Sequence, residues 1–326
     1  MRNAPAHPKD QAGLAVGALC LSASAILLKM AATTPATATA ARCLLALPVV
    51  VLLTVPEWRR GRGLSRRGVL SAVACGALFA ADMLLWTQAI PEVGAGLSTV
   101  LVNTQVAIVP LLSWVVDREP VSRRFLLALP ALLAGVLLAG GVLEHGISGS
   151  NPTRGTVHAI GAALCYSGFL FLLRRGGQAG QPMQTYAIVL ATSAVLAAAV
   201  GPWWHGLDLW PGWRAVGWLI LVAITGQLLG WLLVAILSAR LSSTVSSALL
   251  LLMPVGAVAL GAGVLGERPS VLQLAGCVLV LLAGYVASSG VQPSRESATT
   301  DASARETASP LRFRGPDEAY ATRNCA

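Results

Sequence analysis

Asp82 stands in the run FAADMLLWTQAI, where it is the sole charged residue. A carboxylate at membrane depth costs about 2.5–3.5 kcal/mol on insertion scales, so it faces a cavity or a cationic partner. Arg42 is the matching cation, in the run ATATAARCLLALPVV. Arg42 lies six residues into the apolar segment 36–54, and Asp82 lies eight residues before the end of the segment 68–90. At 1.5 Å rise per residue their depths are roughly 9 and 12 Å. The spacing therefore predicts that the two charges sit level and pair. Such a pair binds a zwitterionic or charged molecule, or lets Asp82 take up a coupling proton. The structural alternative is an ion pair that only locks two helices together. Lys29, near the end of the first apolar run, reads as a snorkelling side chain.

Other polar residues interrupt apolar runs. Trp86 follows Asp82 by four positions and shares its helix face. Gln88 lies nearer the segment end and reads as interfacial. Asn103, Thr104 and Gln105 are consecutive, and steps of 100° stop them from pointing one way. One or two of them face a cavity and another bonds a neighbouring helix. Gln227 and Trp231 also share a face, while Gly226 and Gly230 read as close helix packing. Tyr166 reads as a hydrogen-bonding wall, and His158 as a histidine with no visible partner. The candidate substrate-binding residues are Arg42, Asp82, Trp86, Asn103, Gln105, Tyr166, Gln227 and Trp231. No catalytic or metal-binding set is expected. The chain has no GxxxxGK[ST], HExxH or GxSxG and no GxGxxG after a strand, so neither nucleotide use nor catalysis is indicated, and no cofactor is expected.

The elements that must hold these residues are hydrophobic helices. The 326 residues are 55% hydrophobic and 11% charged, with mean hydropathy +0.70. A soluble domain carries about 25% charged residues. Spanning needs about 20 apolar residues. Ten segments qualify: 12–31, 36–54, 68–90, 93–115, 123–143, 155–173, 184–202, 213–237, 242–265 and 270–289. They are continuously apolar, which excludes a β-barrel. Arg2 and Lys9 before the first run resemble a signal peptide, but the run reaches Ala31 and reads as a membrane helix. With the N-terminus inside, 18 cations fall on inner segments and three, Arg154, Arg214 and Arg268, on outer loops. The positive-inside rule then places both termini in the cytoplasm. The net charge of +9 is spread between apolar runs, which argues against nucleic acid as a partner. Trp203, Trp204, Trp210 and Trp213 crowd one outer loop, and Trp58 and Trp114 sit at inner ends, as an aromatic belt does. Five of the six cysteines lie in apolar segments and none forms CxxC, so they read as small buried hydrophobes. Residues 291–326 lack apolar periodicity and read as a disordered cytoplasmic tail.

Two stretches match at an offset of 148. Ser98 pairs with Ser246, Leu101 with Leu249 and Glu119 with Glu267; after a slip of one residue Pro120 pairs with Pro269 and Gly135 with Gly284. Five helices per half force opposite orientations, hence an inverted repeat, with the binding site near the midplane. Glu119 and Glu267 then end helices at opposite surfaces. They read as local partners of Arg118, Arg123 or Arg268, or of a neighbouring helix start.

These features resemble the EamA family of the drug/metabolite transporter superfamily, over residues 12–290. The resemblance rests on the small-residue helix starts, Arg42, the helix ends Asp117-Arg118-Glu119-Pro120 and Gly266-Glu267-Arg268-Pro269, and the helix count. Val106 stands where the family often has Pro, although Pro254 holds the matching place in the second half; Pro110 is expected to supply the kink instead. The resemblance implies an all-α polytopic protein of ten transmembrane helices around a central cavity. Its organisation is then a cytoplasmic N-terminus (1–11), two five-helix repeats (12–143 and 154–290) and the tail. The expected function is secondary transport, as an exporter of small polar, amino-acid-like metabolites across the cytoplasmic membrane by alternating access. A lipid or lipid-linked carrier flippase is the alternative. The expected partners are a small-molecule substrate, the lipid bilayer and coupling protons, and a homodimer is the candidate assembly.

Overall fold

The computed structural model describes residues 8–61, 63–118, 123–139, 150–176, 181–238, 241 and 249–289. Among them every regular element is helical. In chain order these are α1 (Pro8–Ala31), α2 (Pro35–Arg59), α3 (Arg66–Val93), α4 (Ala95–Val102), α5 (Gln105–Asp117), α6 (Arg123–Ala139), α7 (Pro152–Gly176) and α8 (Pro182–Val200). They continue with α9 (Trp213–Val222), a π-helical segment Ala223–Gly230, α10 (Trp231–Ser238), α11 (Leu252–Leu265) and α12 (Val271–Ser289).

Seven helices among the described residues are long and apolar enough to cross a membrane: α1, α2, α3, α4 with α5, α7, α8, and α9 with the π segment. Leu252–Leu265 and Val271–Val286 are shorter apolar helices. The number that qualifies by length and composition is therefore seven, against the ten segments read from hydropathy. Glu119, Pro120, Arg240, Cys325 and the tail at 291–326 lie outside the described residues.

The surface is inverted relative to a water-soluble protein. Leu52 is 69% exposed, Leu127 79% and Val271 83%, while Arg42 and Asp82 are 3% and 1% exposed. Apolar side chains outward and charges inward suit hydrocarbon as the solvent. Without a hydrophobic drive between helices, close approach at small residues does the packing. Gly155, Gly161 and Gly168 on α7 accept Val93, Leu85 and Leu78 of α3. Gly135 on α6 and Gly276 on α12 bring those backbones together, with Val280 packed on Gly135. Ser22 on α1 donates to the Met253 carbonyl on α11 at 2.8 Å.

Helix starts are read by carboxylates. Glu57, at the end of α2, accepts from the amides of Met183 and Gln184 at the start of α8, both at 3.0 Å. Glu267, after α11, accepts from the amides of Ala95 (2.8 Å) and Gly96 (3.2 Å) at the start of α4. Those amides are unsatisfied within their own helix and carry the positive end of its dipole. Gly94, with φ of 101°, lets the chain turn from α3 into α4. A Cβ on Gly261 would come within 2.5 Å of the Glu267 carboxylate, so a glycine there makes room for it.

The segment 93–115 is not one continuous helix. It breaks at Asn103 and Thr104, where the chain tightens: Thr104 donates to Leu101 at 3.1 Å and Val106 to Asn103 at 3.1 Å. These i→i+3 bonds are the 3₁₀ pattern. Pro110 lies inside α5, beyond the break, so the kink expected there forms instead six residues earlier.

Candidate functional site

A cavity enclosing about 640 Å³, its mouth included, lies among α1, α2, α3, α4, α7, α9, the π segment, α10 and α11. Arg42 and Asp82 are its two charged lining residues. Trp86, Tyr166, Gln227 and Trp231 line it as well, with Leu21, Ser24, Met83, Thr99, Val102, Val222, Gly226 and Met253. Its apolar wall with a few convergent polar groups is the make-up of a small-molecule site.

Arg42 and Asp82 sit close enough to interact electrostatically. They do not form the direct pair that their depths predict. Neither Asp82 carboxylate oxygen has a hydrogen-bond partner, and neither does Arg42 Nε. The guanidinium turns elsewhere. One of its Nη atoms contacts the Met83 Sδ, and its carbon lies 5.7 Å from the centre of the Trp86 ring. That distance is within cation–π range.

Aromatic rings fix the opposite wall. Trp231 meets Phe79, Tyr166 and Phe169 edge-on at 6.4, 6.0 and 6.1 Å between ring centres. Tyr166 stacks on Phe169 at 5.9 Å. Offset and edge-on contacts of this kind hold rings in one orientation.

The π segment supplies Gly226 and Gln227. A wider i→i+5 turn rearranges the helical hydrogen bonds, and such bulges occur often at functional sites. The Gln227 carbonyl accepts from the Tyr186 hydroxyl at 3.0 Å, and its side-chain oxygen faces the same hydroxyl at 3.4 Å. Its amide nitrogen lies 4.0 Å from Cys43 Sγ. Gln227 is thus held in place and 3% exposed.

Asn103 and Gln105 do not line the cavity. Asn103 caps the broken end of α4 and is half-buried. Gln105 lies beside Tyr166, behind the wall, and its amide oxygen has no partner.

Two further expectations are amended. Lys29 has a partner as well as a partly exposed side chain: its Nζ pairs with Glu267 Oε1 at 2.6 Å, beside the start of α4. Glu267 therefore reads a neighbouring helix start and a lysine of α1 at once. His158 has a partner that sequence reasoning missed. Its Nδ1 lies 2.5 Å from Glu92, which is buried and also accepts from Gln88 at 2.8 Å. Glu92 was legible as a carboxylate after an apolar run, but its partner His158 comes from α7 and only tertiary packing reveals it. Tyr186, Met83, Thr99 and Val102 carried no distinct sequence signal.

The comparisons with known proteins agree with this architecture. The model of the EamA-like transporter family matches residues 12–141 and again residues 153–289. No curated protein matches the sequence. One solved structure, described as "Crystal structure of protein", superposes with a TM-score of 0.59 at 15% identity, over 86% of this chain and 96% of its own. That likeness concerns the fold alone. Two family matches covering most of the sequence, laid over apolar helices, make the chain an integral membrane protein that belongs to the EamA-like transporter family.

Proposed function

We propose that this chain is a secondary transporter that carries a small zwitterionic metabolite out of the cell by alternating access. The observation that carries the reading is the cavity. Both family-matched segments wall it, and it holds one buried guanidinium and one buried, unpartnered carboxylate. A charge kept at membrane depth without a partner is costly, and a ligand of opposite charge offsets that cost when it binds. An ammonium suits Asp82 and a carboxylate suits Arg42. The largely apolar remainder suits a small apolar body between them.

In this reading the chain has ten membrane helices arranged as two inverted repeats, with both termini inside, in the cytoplasmic membrane. The cavity lies near the midplane, where rocking of the halves exposes it to each side in turn. Asp82 also takes the coupling proton when no ammonium occupies it. Uptake into vesicles that survives collapse of the proton gradient unchanged would remove that coupling.

Mass spectrometry of the medium tests the reading. Cells expressing the wild-type chain should accumulate one class of zwitterionic metabolite outside. Cells expressing Arg42→Ala or Asp82→Asn at matched membrane abundance should match the empty-vector control. Normal export by both variants would sink the assignment. A lipid head group flipped instead of a soluble metabolite would point to a flippase.

A further inference from the structure

We infer that Trp86 is a positioning residue that holds Arg42 off Asp82, so that the cavity presents two separated opposite charges instead of one closed ion pair. This rests on the transport reading for its purpose and on geometry for its substance. Asp82, Met83 and Trp86 share one stretch of α3, with Trp86 one turn beyond Asp82 on the same face. Opposite charges in a buried, low-dielectric site attract strongly. Arg42 and Asp82 are both nearly fully buried and within electrostatic range, so their contact is the arrangement to expect. The guanidinium instead contacts Met83 Sδ and lies over the Trp86 ring. Both carboxylate oxygens are left without a partner while lining the cavity.

Separation decides what the cavity selects. A closed pair presents little net charge to either end of a ligand. A parted pair receives an ammonium and a carboxylate at two points, and so prefers a zwitterion to an amine or an acid of the same body. Trp86 acts on that choice through Arg42.

The test uses the purified full chain in detergent and dicyclohexylcarbodiimide, which adds to carboxyl groups in apolar pockets that are not ion-paired. Labelling of Asp82 is read from peptide mass, with Asp82→Asn as the blank. Wild type should label at Asp82. Trp86→Leu should lower labelling about fivefold or more, the size expected of a desolvated cation–π contact. Trp86→Phe keeps a ring under the guanidinium and should label within about twofold of wild type. In an Arg42→Gln background, Trp86→Leu should change nothing. Three outcomes would overturn the inference: no labelling of Asp82 in wild type, no effect of Trp86→Leu, or an equal effect with and without Arg42. The size-exclusion profile of the purified protein separates a misfolded Trp86→Leu chain from this third outcome, and Trp86→Phe then carries the test, a loss of labelling of more than about twofold overturning the inference. The assay needs no substrate. A positive result in a chain that exports nothing would leave the geometry standing and count only against the transport reading.

Discussion

The two family-matched segments contribute different chemistry to one cavity. Residues 12–141 bring the charges, Arg42 and Asp82, together with Trp86 and Thr99. Among the described residues, 153–289 bring no charge to it. They supply Tyr166, Trp231 and Met253, and a π segment that holds Gln227. The backbones are more alike than the side chains. The first segment breaks at Asn103–Thr104 and the second has a turn at Leu251, which stands 148 positions after Asn103. Asn103 has φ −65° and ψ −9°, and Leu251 has φ −63° and ψ −18°. The polar run Asn103-Thr104-Gln105 corresponds to Leu251-Leu252-Met253. A break made with amides in one segment and leucines in the other follows from the backbone path, not from polar side chains. What distinguishes the segments is which residues each turns toward the cavity.

The sharpest way to break that comparison is to remove the frame and keep the charges. Trp231→Ala deletes a ring packed on Phe79, Tyr166 and Phe169. Truncating a packed aromatic costs about 3 kcal/mol or more, through lost contacts and a cavity. The midpoint of unfolding in a mixed-micelle denaturant titration should fall accordingly, and export should fall with it. Trp231→Phe should recover most of the stability. A Trp231→Ala chain as stable as wild type would show that the aromatic wall is decoration and not frame.

The carboxylate caps allow a smaller contrast. Glu267 and Glu57 are both half-buried, but Glu267 reads two amides of α4 and also pairs with Lys29, whereas Glu57 reads two amides of α8. A carboxylate at a helix start is worth up to ~2 kcal/mol in partly buried geometry, and at Glu267 the Lys29 pair adds to the cap. Glu267→Gln should therefore lower the unfolding midpoint more than Glu57→Gln. Equal shifts from the two variants would mean that the Lys29 pair adds nothing to the Glu267 cap.

Some of this was legible in the residues and some was not. Asp82 and Arg42 announce themselves because a charge inside an apolar run has few explanations. Their parting does not, because it depends on where Met83 and Trp86 stand once α3 is coiled. Trp231 and Tyr166 were readable as wall residues from type and depth, but the Phe79 and Phe169 contacts that orient Trp231 come from helices far apart in sequence. Asn103 and Gln105 stand at a break and outside the cavity lining; polarity in an apolar run marks either a cavity or a break, and composition does not separate the two. Glu57, Glu92 and Glu267 each end an apolar run, where a carboxylate is unremarkable. A neighbouring helix start was among the readings for Glu267, although packing decides that it is the start of α4; the work of Glu57 and Glu92 appears only when the start of α8 or His158 is brought alongside. The π segment left no trace in the sequence, since an i→i+5 turn needs no special residue type.

Asn103→Leu gives the smallest effect and the most pointed one. It makes the first break resemble the second, where leucine already occupies the equivalent place. Asn103 lies outside the cavity lining, and its backbone amide donates to Val100 at 3.1 Å whatever the side chain is. The substitution should thus leave the break intact. Stability should stay within about 0.5 kcal/mol, as for changes away from packed or charged features, and export within about twofold. A loss of export as deep as that of Asp82→Asn would place Asn103 on the substrate path in a state of the transporter other than this one. An unchanged chain would confine the polar chemistry of the first segment to α2 and α3, with the break serving only to turn Thr99 and Val102 toward the cavity.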